Sequence, residues 1–353
     1  MTFDISTASS AIREVFLKLQ DDISKQIFIN RLLYHLDGDK SHLYDMINEL
    51  GLLEPGTAGQ LNKTVAALSG AKKEVILYGS GGIAEDVHQL MLKMGNTVKC
   101  FCDDDPNKQK SGCCGLPVIS SHDLLSEHQE SLVVISTLAY RDKVYNYLIN
   151  SGFPQENIAA SHMPLPQYFG LDFLKPEPDE VFIDAGCMDG ETLIQFKEWC
   201  VGAYKKIYAL EPDTSNYQTA QETIKRQNIE RVVLVNKGAW NCNGELSFSA
   251  MANGSSKLDD SGSIKVSVTP IDDIVGEERI TYIKMDIEGA ELNALMGAKH
   301  TILNNKPRLA ICVYHKPEDI LEIPLYLSRL LPSYKFFLRH HSQFYIETVL
   351  YAV

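Results

Sequence analysis

Apolar positions follow two different patterns along this chain of 353 residues. Between residues 9 and 37 they recur every three or four positions, from Ile12 and Val15 to Leu32 and Leu36. That spacing is typical of an amphipathic helix. We predict a helical N-terminal segment over residues 1–70, with further short helices after Asp39 and over residues 60–68. No candidate chemistry lies in this segment, so its expected role is packing or homo-oligomerisation.

From Glu74 onward, short continuous apolar runs replace the helical spacing. EVILY and SLVVIST are typical of buried strands, and residues 142–150 have the pattern of a helix. Strands that alternate with helices in this way favour a parallel sheet covered by helices. The sequence therefore predicts a small Rossmann-like α/β domain over residues 71–160.

Four prolines, at positions 164, 166, 176 and 178, interrupt both patterns before a second alternating region begins. Proline at that density is incompatible with helix or sheet, so we place a linker at 161–179. Over residues 180–353, five buried runs alternate with helical segments: VFIDAG, KIYALEP, VVLVNKGAW, YIKMDIEG and RLAICVYH. A β-hairpin insertion is expected between the third and fourth, and the chain ends with two antiparallel strands. This pattern predicts a doubly wound α/β sheet with a reversed terminal strand.

Composition and charge exclude several classes of protein. The net charge is −13 and no long Lys/Arg run exists to follow a phosphate backbone, which excludes a nucleic-acid partner. The N-terminus lacks the apolar region of a signal peptide, and no apolar run approaches the ~20 residues of a membrane span. The eight cysteines lack repeated CxxC spacing. We therefore expect a cytoplasmic protein with reduced thiols.

The first candidate site is the loop after VFIDAG, which holds Asp184, Gly186, Gly190 and Thr192. Ligands bind at the carboxyl edge of a doubly wound sheet, and glycines there let the backbone approach them. In this loop an acid replaces the first glycine of the dinucleotide fingerprint G-x-G-x-x-G. A carboxylate suits a ligand with an amino group better than a pyrophosphate. An ordinary strand–turn–helix loop remains the alternative.

Glu211 ends the second strand of this region, twenty-one positions beyond Gly190. A carboxylate at that place can accept hydrogen bonds from both hydroxyls of a ribose. The alternative is a solvated acid at a strand end. Taken together, the two features select S-adenosylmethionine, with Asp184 near its amino group, the helix start near its carboxylate and Glu211 on its ribose.

The segments IDAGCMDGETL, ALEPD, KGAWN, IKMDIEGAEL and LAICVYHKPEDI resemble the FkbM family of S-adenosylmethionine-dependent methyltransferases, from about Glu180 to Val353. The pair IKMDIEGAE and YHKPEDI is the most specific part. The resemblance implies a class I (Rossmann-like) methyltransferase fold and methylation of hydroxyl groups on sugars or natural products. It also implies that the adenine packs near Gly238, Ala239 and Trp240.

Methyl transfer to a hydroxyl requires in-line alignment and removal of a proton, by a general base or with a divalent metal. Asp286 ends the fourth strand of this region and His315 follows the fifth. We predict His315 as the base and Asp286 as the group that positions the acceptor, base or metal. Glu288 is a further candidate, whereas Glu291 fits a helix-start acid. No metal ligands are identified from the sequence.

The earlier domain carries a second candidate site. Gly79, Gly81 and Gly82 follow a strand in the pattern G-x-G-x-x-A, and Asp103 ends the next strand. FCDDDPNKQKSGCCGLPVI resembles the N-terminal domain of sugar O-acyltransferases, which implies a nucleotide-sugar ligand with Asp103 or Asp104 on a ribose or sugar hydroxyl. A docking domain without a ligand is the alternative.

These observations predict an S-adenosylmethionine-dependent O-methyltransferase that acts on a hydroxyl of a sugar, a nucleotide-sugar or a related natural product. Two alternatives stay open. One is an NAD-dependent nucleotide-sugar enzyme that uses the N-terminal Rossmann-like domain. The other is a non-catalytic binding protein that retains the fold.

Overall fold

The computed structural model describes residues 5–50, 74–81, 83–93, 96–137, 140–160, 167–249, 257–258, 264–342 and 345–353. The predicted helix at 60–68 and Gly82 lie outside the described residues. The chain forms two compact units. One contains Met1–Asp39, Pro166–His341 and Ile346–Val353, and the other contains Lys40–Leu165 and Ser342–Tyr345.

The N-terminal segment contains the helices α1 (Ile5–Lys18), α2 (Asp22–Asp37) and α3 (Ser41–Glu49). The apolar periodicity breaks because Asp21 caps α2, accepting a hydrogen bond from the Ser24 amide at 2.8 Å. Asp21 also pairs with Arg339 at 2.7 Å, and Leu19 bridges Phe336. The helices α1 and α2 therefore pack in the same unit as the C-terminal sheet.

The unit that begins at Lys40 is built on a parallel sheet. Its strands are β1 (Val75–Tyr78), β2 (Val98–Cys102), β3 (Val118–Ile119), β4 (Leu132–Ile135) and β5 (Ile158–Ala160). Its helices are α4 (Ala84–Lys93), α5 (Pro106–Ser111), α6 (Ser121–Glu127) and α7 (Arg141–Asn150), with a 3-10 turn at Gln155–Asn157. The order is β3-β2-β1-β4-β5 with every pair parallel. This confirms the Rossmann-like character of the N-terminal region.

The other unit contains the remaining strands and helices. The strands are β6 (Glu180–Ala185), β7 (Tyr204–Leu210), β8 (Val232–Val235), β9 (Gly238–Ala239), β10 (Gly244–Ser249), β11 (Lys257–Leu258), β12 (Ile264–Thr269), β13 (Tyr282–Met285), β14 (Arg308–Cys312), β15 (Phe336–His340) and β16 (Thr348–Ala352). The helices are α8 (Glu191–Trp199), α9 (Thr214–Arg226), α10 (Ile271–Val275), α11 (Glu291–Met296), α12 (Lys299–Asn305) and α13 (Asp319–Leu330).

Seven of these strands form one sheet in the order β15-β16-β14-β13-β6-β7-β8. β16 runs in the direction opposite to that of the other six strands, so the prediction of a reversed terminal strand is confirmed. The central strands are fully buried and an aromatic cluster covers them; Phe182 and Phe196 stack at 4.4 Å between ring centroids. The carboxyl ends of β6, β7, β13 and β14 meet at one edge, which is where α/β sheets bind ligands.

The predicted hairpin insertion is also present. β10 and β12 pair antiparallel within a small sheet of order β11-β10-β12-β9. The helical segment after β13 is divided into α11 and α12. At Gly297 a Cβ would overlap the carbonyl oxygen of Trp240. The close backbone approach at Gly297 accompanies the division.

Candidate active site

The glycine loop connects β6 to α8 at the carboxyl edge of the large sheet. Gly186 has φ +81°, and a Cβ there would lie far inside contact distance of the Asp286 carbonyl oxygen. Gly190 has φ +85° and begins α8, while Thr192 is half-buried in its first turn. Only glycine fits the Gly186 position, and its fit brings the loop against the end of β13.

Glu211 follows β7 and is held by the backbone around it. Its two carboxylate oxygens accept hydrogen bonds from the amides of Met188 and Asp213, each at 2.9 Å. Burial outweighs these hydrogen bonds and raises the pKa of Glu211 to about 7. The Met188 amide belongs to the glycine loop, so the predicted ribose carboxylate and the predicted cofactor loop are in direct contact.

Asp184 and Lys284 form a buried ion pair across the adjacent strands β6 and β13. Lys284 Nζ lies 2.9 Å from Asp184 Oδ1 and donates to the Gly186 carbonyl at 2.7 Å. Burial alone would lower the pKa of Lys284, but Asp184 and Asp286 raise it, so the side chain stays an ammonium. Asp184 thus holds the loop through Lys284, and its contact with a cofactor amino group stays a prediction.

Ala239 lies in β9, close to the end of β7. It is buried and pairs with Thr269 of β12. The neighbouring Gly238 approaches the Pro212 ring that follows Glu211, since a Cβ on Gly238 would be 3.7 Å from it. The segment predicted to pack against adenine therefore borders the residue predicted to bind the ribose.

Asp286 stands at the end of β13 and receives two tyrosine hydroxyls. Tyr168 donates to its Oδ2 at 2.9 Å, and Tyr314 donates to its Oδ1 at 3.3 Å. Burial would raise the pKa of Asp286, but Lys284, His315 and the Tyr168 hydrogen bond hold it below the ordinary value. The carboxylate is ionised and its side chain is 26% exposed.

His315 lies among three carboxylates, and its side chain is only 5% exposed. Its Nε2 is 3.4 Å from Asp286 and 3.7 Å from Glu288, and its Nδ1 is 2.9 Å from Glu291. Burial lowers the pKa of His315, but the close contact with Glu291 and the other two acids raise it to about 9. In the ligand-free protein the ring is therefore an imidazolium.

The three acids of the IKMDIEGAE segment differ in their surroundings. Glu288 has φ +56° and its side chain is 28% exposed beside His315. Glu291 is fully buried; it accepts the Ile287 amide at 2.9 Å, as a helix-start acid would, and it also lies against His315. The catalytic candidates Asp286, Glu288 and His315 are thus brought together, with Glu291 behind them.

Several polar residues of the site did not follow from the sequence patterns. Tyr168 lies in the predicted linker, and Glu347 and Arg31 lie in distant segments of the chain. Burial, together with Asp286, raises the pKa of Glu347 to about 7, while burial lowers that of Arg31 to about 10 despite the nearby Tyr34 and Tyr314. Lys284 could have been found from the sequence, because a lysine within an apolar strand requires a charged partner.

The N-terminal candidate site is described except for Gly82. Gly79 has φ +112° and its amide donates to the Cys102 carbonyl at 2.8 Å; Gly81 is open to solvent. Asp103 Oδ2 accepts the Ser80 hydroxyl and pairs with Lys108, both at 2.8 Å. Burial alone would raise the pKa of Asp103, but these partners hold it below its ordinary value. The structure brings Asp103 to the glycine turn.

Two other expectations concern the whole chain. All eight cysteines are free thiols. Among the described residues, no helix combines the length and apolarity that crossing a membrane would require.

Two family models match separate parts of the chain. The model of the methyltransferase FkbM domain matches residues 184–336, and that of the PglD N-terminal domain matches residues 74–148. No curated protein matches the chain significantly.

Several solved structures are similar to parts of this chain. A methyltransferase FkbM from Methylobacillus flagellatus KT is 20% identical with a TM-score of 0.50, covering 91% of this chain and 100% of its own. An rRNA methylase from Streptococcus thermophilus is 17% identical; the match covers 50% of this chain and 86% of the methylase, with a TM-score of 0.34. Fibrillarin from Aeropyrum pernix, with natively bound S-adenosyl-L-methionine, is 11% identical; the match covers 52% of this chain and 70% of fibrillarin, with a TM-score of 0.34. The first of these shows the same fold.

Both resemblances noted in the sequence are thereby confirmed, each over its own segment: residues 184–336 match the methyltransferase FkbM domain, and residues 74–148 match the PglD N-terminal domain.

Proposed function

We propose that the protein is an S-adenosylmethionine-dependent O-methyltransferase that acts on a hydroxyl of a sugar, a nucleotide-sugar or a related small molecule. One observation carries the proposal. Gly186 packs on the Asp286 carbonyl, and Glu211 contacts the glycine loop. The cofactor residues (the glycine loop and Glu211) therefore form a first set, next to a second set made of Asp286, Glu288 and His315. A cofactor held by the first set would present its methyl group toward the second.

The cofactor half of the proposal assigns each residue a physical role. Glu211 has lone pairs beyond the two used by backbone amides, and these accept the ribose hydroxyls. The start of α8, with Gly190 and Thr192, favours the cofactor carboxylate. Ala239 borders the adenine. Asp184 and Lys284 keep the loop carbonyl of Gly186 in place.

The acceptor half of the proposal uses the two partly exposed carboxylates, Asp286 and Glu288. The acceptor oxygen forms a bond to the methyl carbon while the carbon–sulfur bond breaks and its electron pair stays on sulfur. The hydroxyl proton leaves to a neighbouring base. Asp286 and Glu288 are more exposed than His315, so an entering hydroxyl meets them first. Asp286 takes the role of base in place of the predicted His315, because the raised pKa of His315 keeps its ring protonated. His315 then supports the two carboxylates from behind.

The acceptor class is supported by the other unit. Its sequence matches the PglD N-terminal domain, and its parallel sheet places Gly79, Gly81 and Asp103 at one turn. We propose that this turn binds the nucleotide part of a nucleotide-sugar. The short bonds of Asp103 to Ser80 and Lys108 keep the turn formed.

Incubation with methyl-labelled S-adenosylmethionine tests the reaction. We expect label to appear in an ether-linked methyl group on one member of a panel of nucleotide-sugars and glycosides. Asp286→Asn should lower turnover by ~10²–10⁴-fold and retain cofactor binding, because the proton acceptor is removed without touching the cofactor loop. Label on nitrogen or carbon, or full turnover in Asp286→Asn, would contradict the proposal.

Cofactor binding should release a proton from Glu211. Its carboxyl, with a pKa of about 7, is roughly half protonated at neutral pH in the ligand-free protein. Ribose hydroxyls that donate to the carboxylate stabilise the charged form and lower this pKa, so affinity should rise as pH increases toward about 7. Calorimetry of S-adenosylhomocysteine binding in two buffers of different ionisation enthalpy measures the proton. Glu211→Gln is the control and should release none; an equal release from both proteins would exclude this assignment.

A further inference from the structure

We propose that Asp286, Glu291 and His315 bind a divalent transition-metal ion at the carboxyl edge of the large sheet. One ligand atom from each residue lies within 4.8 Å of the other two. The site itself is inferred from its donor atoms alone. Its use in catalysis rests on the proposed methyl transfer.

The spacing of the donors suits one ion. Metal–ligand distances of about 2.1 Å place neighbouring ligands about 3 Å apart in an octahedral shell. His315 lies 3.4 Å from Asp286 Oδ1 through one ring nitrogen and 2.9 Å from Glu291 Oε1 through the other. The acids therefore flank the imidazole at about the separation of adjacent ligands.

Buried donor atoms at this place have unused bonding capacity. Neither ring nitrogen of His315 makes a hydrogen bond with the described residues, and the same holds for Glu291 Oε2. The 2.9 Å contact of Nδ1 with Glu291 Oε1 is that of an ion pair. Buried polar atoms are nearly always bonded, so an imidazole and a carboxylate left in this state point to a ligand.

The charge of the cluster also favours a cation. Asp286, Glu288 and Glu291 surround a single imidazole, and both Glu291 and His315 are more than nine-tenths shielded from solvent. Three carboxylates around one imidazolium leave an excess of negative charge at a partly buried place, which is costly unless it is compensated. A divalent ion compensates two charges at once.

The groups around the ligands orient them as they do in metal sites. Tyr168 and Tyr314 donate to Asp286, and the Ile287 amide donates to Glu291 Oε1. Hydrogen bonds of this kind fix ligand carboxylates and raise affinity for the ion. Two carboxylates with one imidazole suit an ion that accepts both oxygen and nitrogen, such as Mn²⁺. On the proposed function, the ion would bind the acceptor oxygen and lower its pKa.

Titration with MnCl₂ tests the site. The full-length protein is treated with EDTA and freed of chelator, and free Mn²⁺ is followed by electron paramagnetic resonance. We expect one tightly bound ion per chain, with affinity lowered at least ~100-fold in both Glu291→Gln and His315→Gln. Glu277→Gln, which changes an exposed acid of the same unit, should bind as the wild type does.

A folded state is verified for each variant by S-adenosylhomocysteine binding, which uses other residues. Absence of Mn²⁺ binding by the wild type overturns the proposal, as does undiminished binding in either folded variant. Metal binding without methyl transfer to any acceptor would overturn the proposed function and leave the site standing. Methyl transfer by a wild-type protein that binds no Mn²⁺ would overturn the metal site and leave the proposed function standing.

Discussion

Lys284→Met is expected to destabilise the folded protein by about 3–5 kcal/mol. Lys284 and Asp184 are 2% and 0% exposed, and their side chains are 2.9 Å apart. Methionine preserves most of the volume but leaves the Asp184 carboxylate buried without its cation, and the Gly186 carbonyl loses its donor. Urea denaturation measures the loss. Lys335→Met, which changes an exposed lysine of the same unit, should change stability by less than about 0.5 kcal/mol.

The pH dependence of this variant separates the charge from the packing. Without Lys284, burial raises the pKa of Asp184 in the folded state further above that of the unfolded chain. A raised folded-state pKa of an acid means that stability falls as pH increases above the unfolded value. The loss in Lys284→Met should therefore be greater at pH 8 than at pH 5.5. The double variant Lys284→Met/Asp184→Leu should recover much of it, and an equal loss at both pH values would contradict the explanation.

Gly186→Ala is expected to weaken S-adenosylhomocysteine binding by roughly 100-fold, the scale of a 1 Å misplacement in a site. The new Cβ would overlap the Asp286 carbonyl oxygen, so the loop after β6 must move away from the end of β13. Because φ is +81°, the alanine is strained as well. Calorimetric titration of the folded variant measures the loss of affinity.

Gly202→Ala is a matched control for backbone strain. Gly202 has φ +73°, and nothing lies within 4 Å of the Cβ position. It should cost about 1–2 kcal/mol of stability and leave binding unchanged. If both variants bind normally, the close packing of Gly186 on Asp286 is not needed by the cofactor site.

The strands of the large sheet could be predicted because each run is apolar, short and bounded by turn residues. The same holds for the glycine loop, whose residues are local in sequence. The reversed last strand followed from the short polar loop between FFLRH and TVLYA, which is too short for a parallel crossover. Features set by neighbouring residues were therefore accessible.

Features set by packing between distant segments could not be predicted from the sequence. The pairing of Lys284 with Asp184 requires β13 to lie beside β6 in the observed register, in which these two residues are partners. Glu291 has the position of a helix-start acid, and only its burial against His315 shows a second contact. Tyr168 comes from a proline-rich segment, where the local pattern carries no information about its bond to Asp286.

The division of the chain was difficult for the same reason. The periodicity of α1 and α2 shows an apolar face but not its partner. In the structure α2 begins beside β15, where Asp21 forms an ion pair with Arg339. The helix also contributes the buried Arg31 to the unit that contains the candidate active site. A helix that reads as a separate N-terminal segment therefore packs with the C-terminal sheet.

Direct titration with S-adenosylhomocysteine tests the central claim, which is that the edge of the large sheet holds the methyl donor through Glu211 and the glycine loop. We predict one molecule bound per wild-type chain, and loss of that binding in folded Glu211→Ala, which lacks the carboxylate that meets the ribose. NADH should not compete. Absence of binding to the wild type, or equal affinity in Glu211→Ala, would contradict the account.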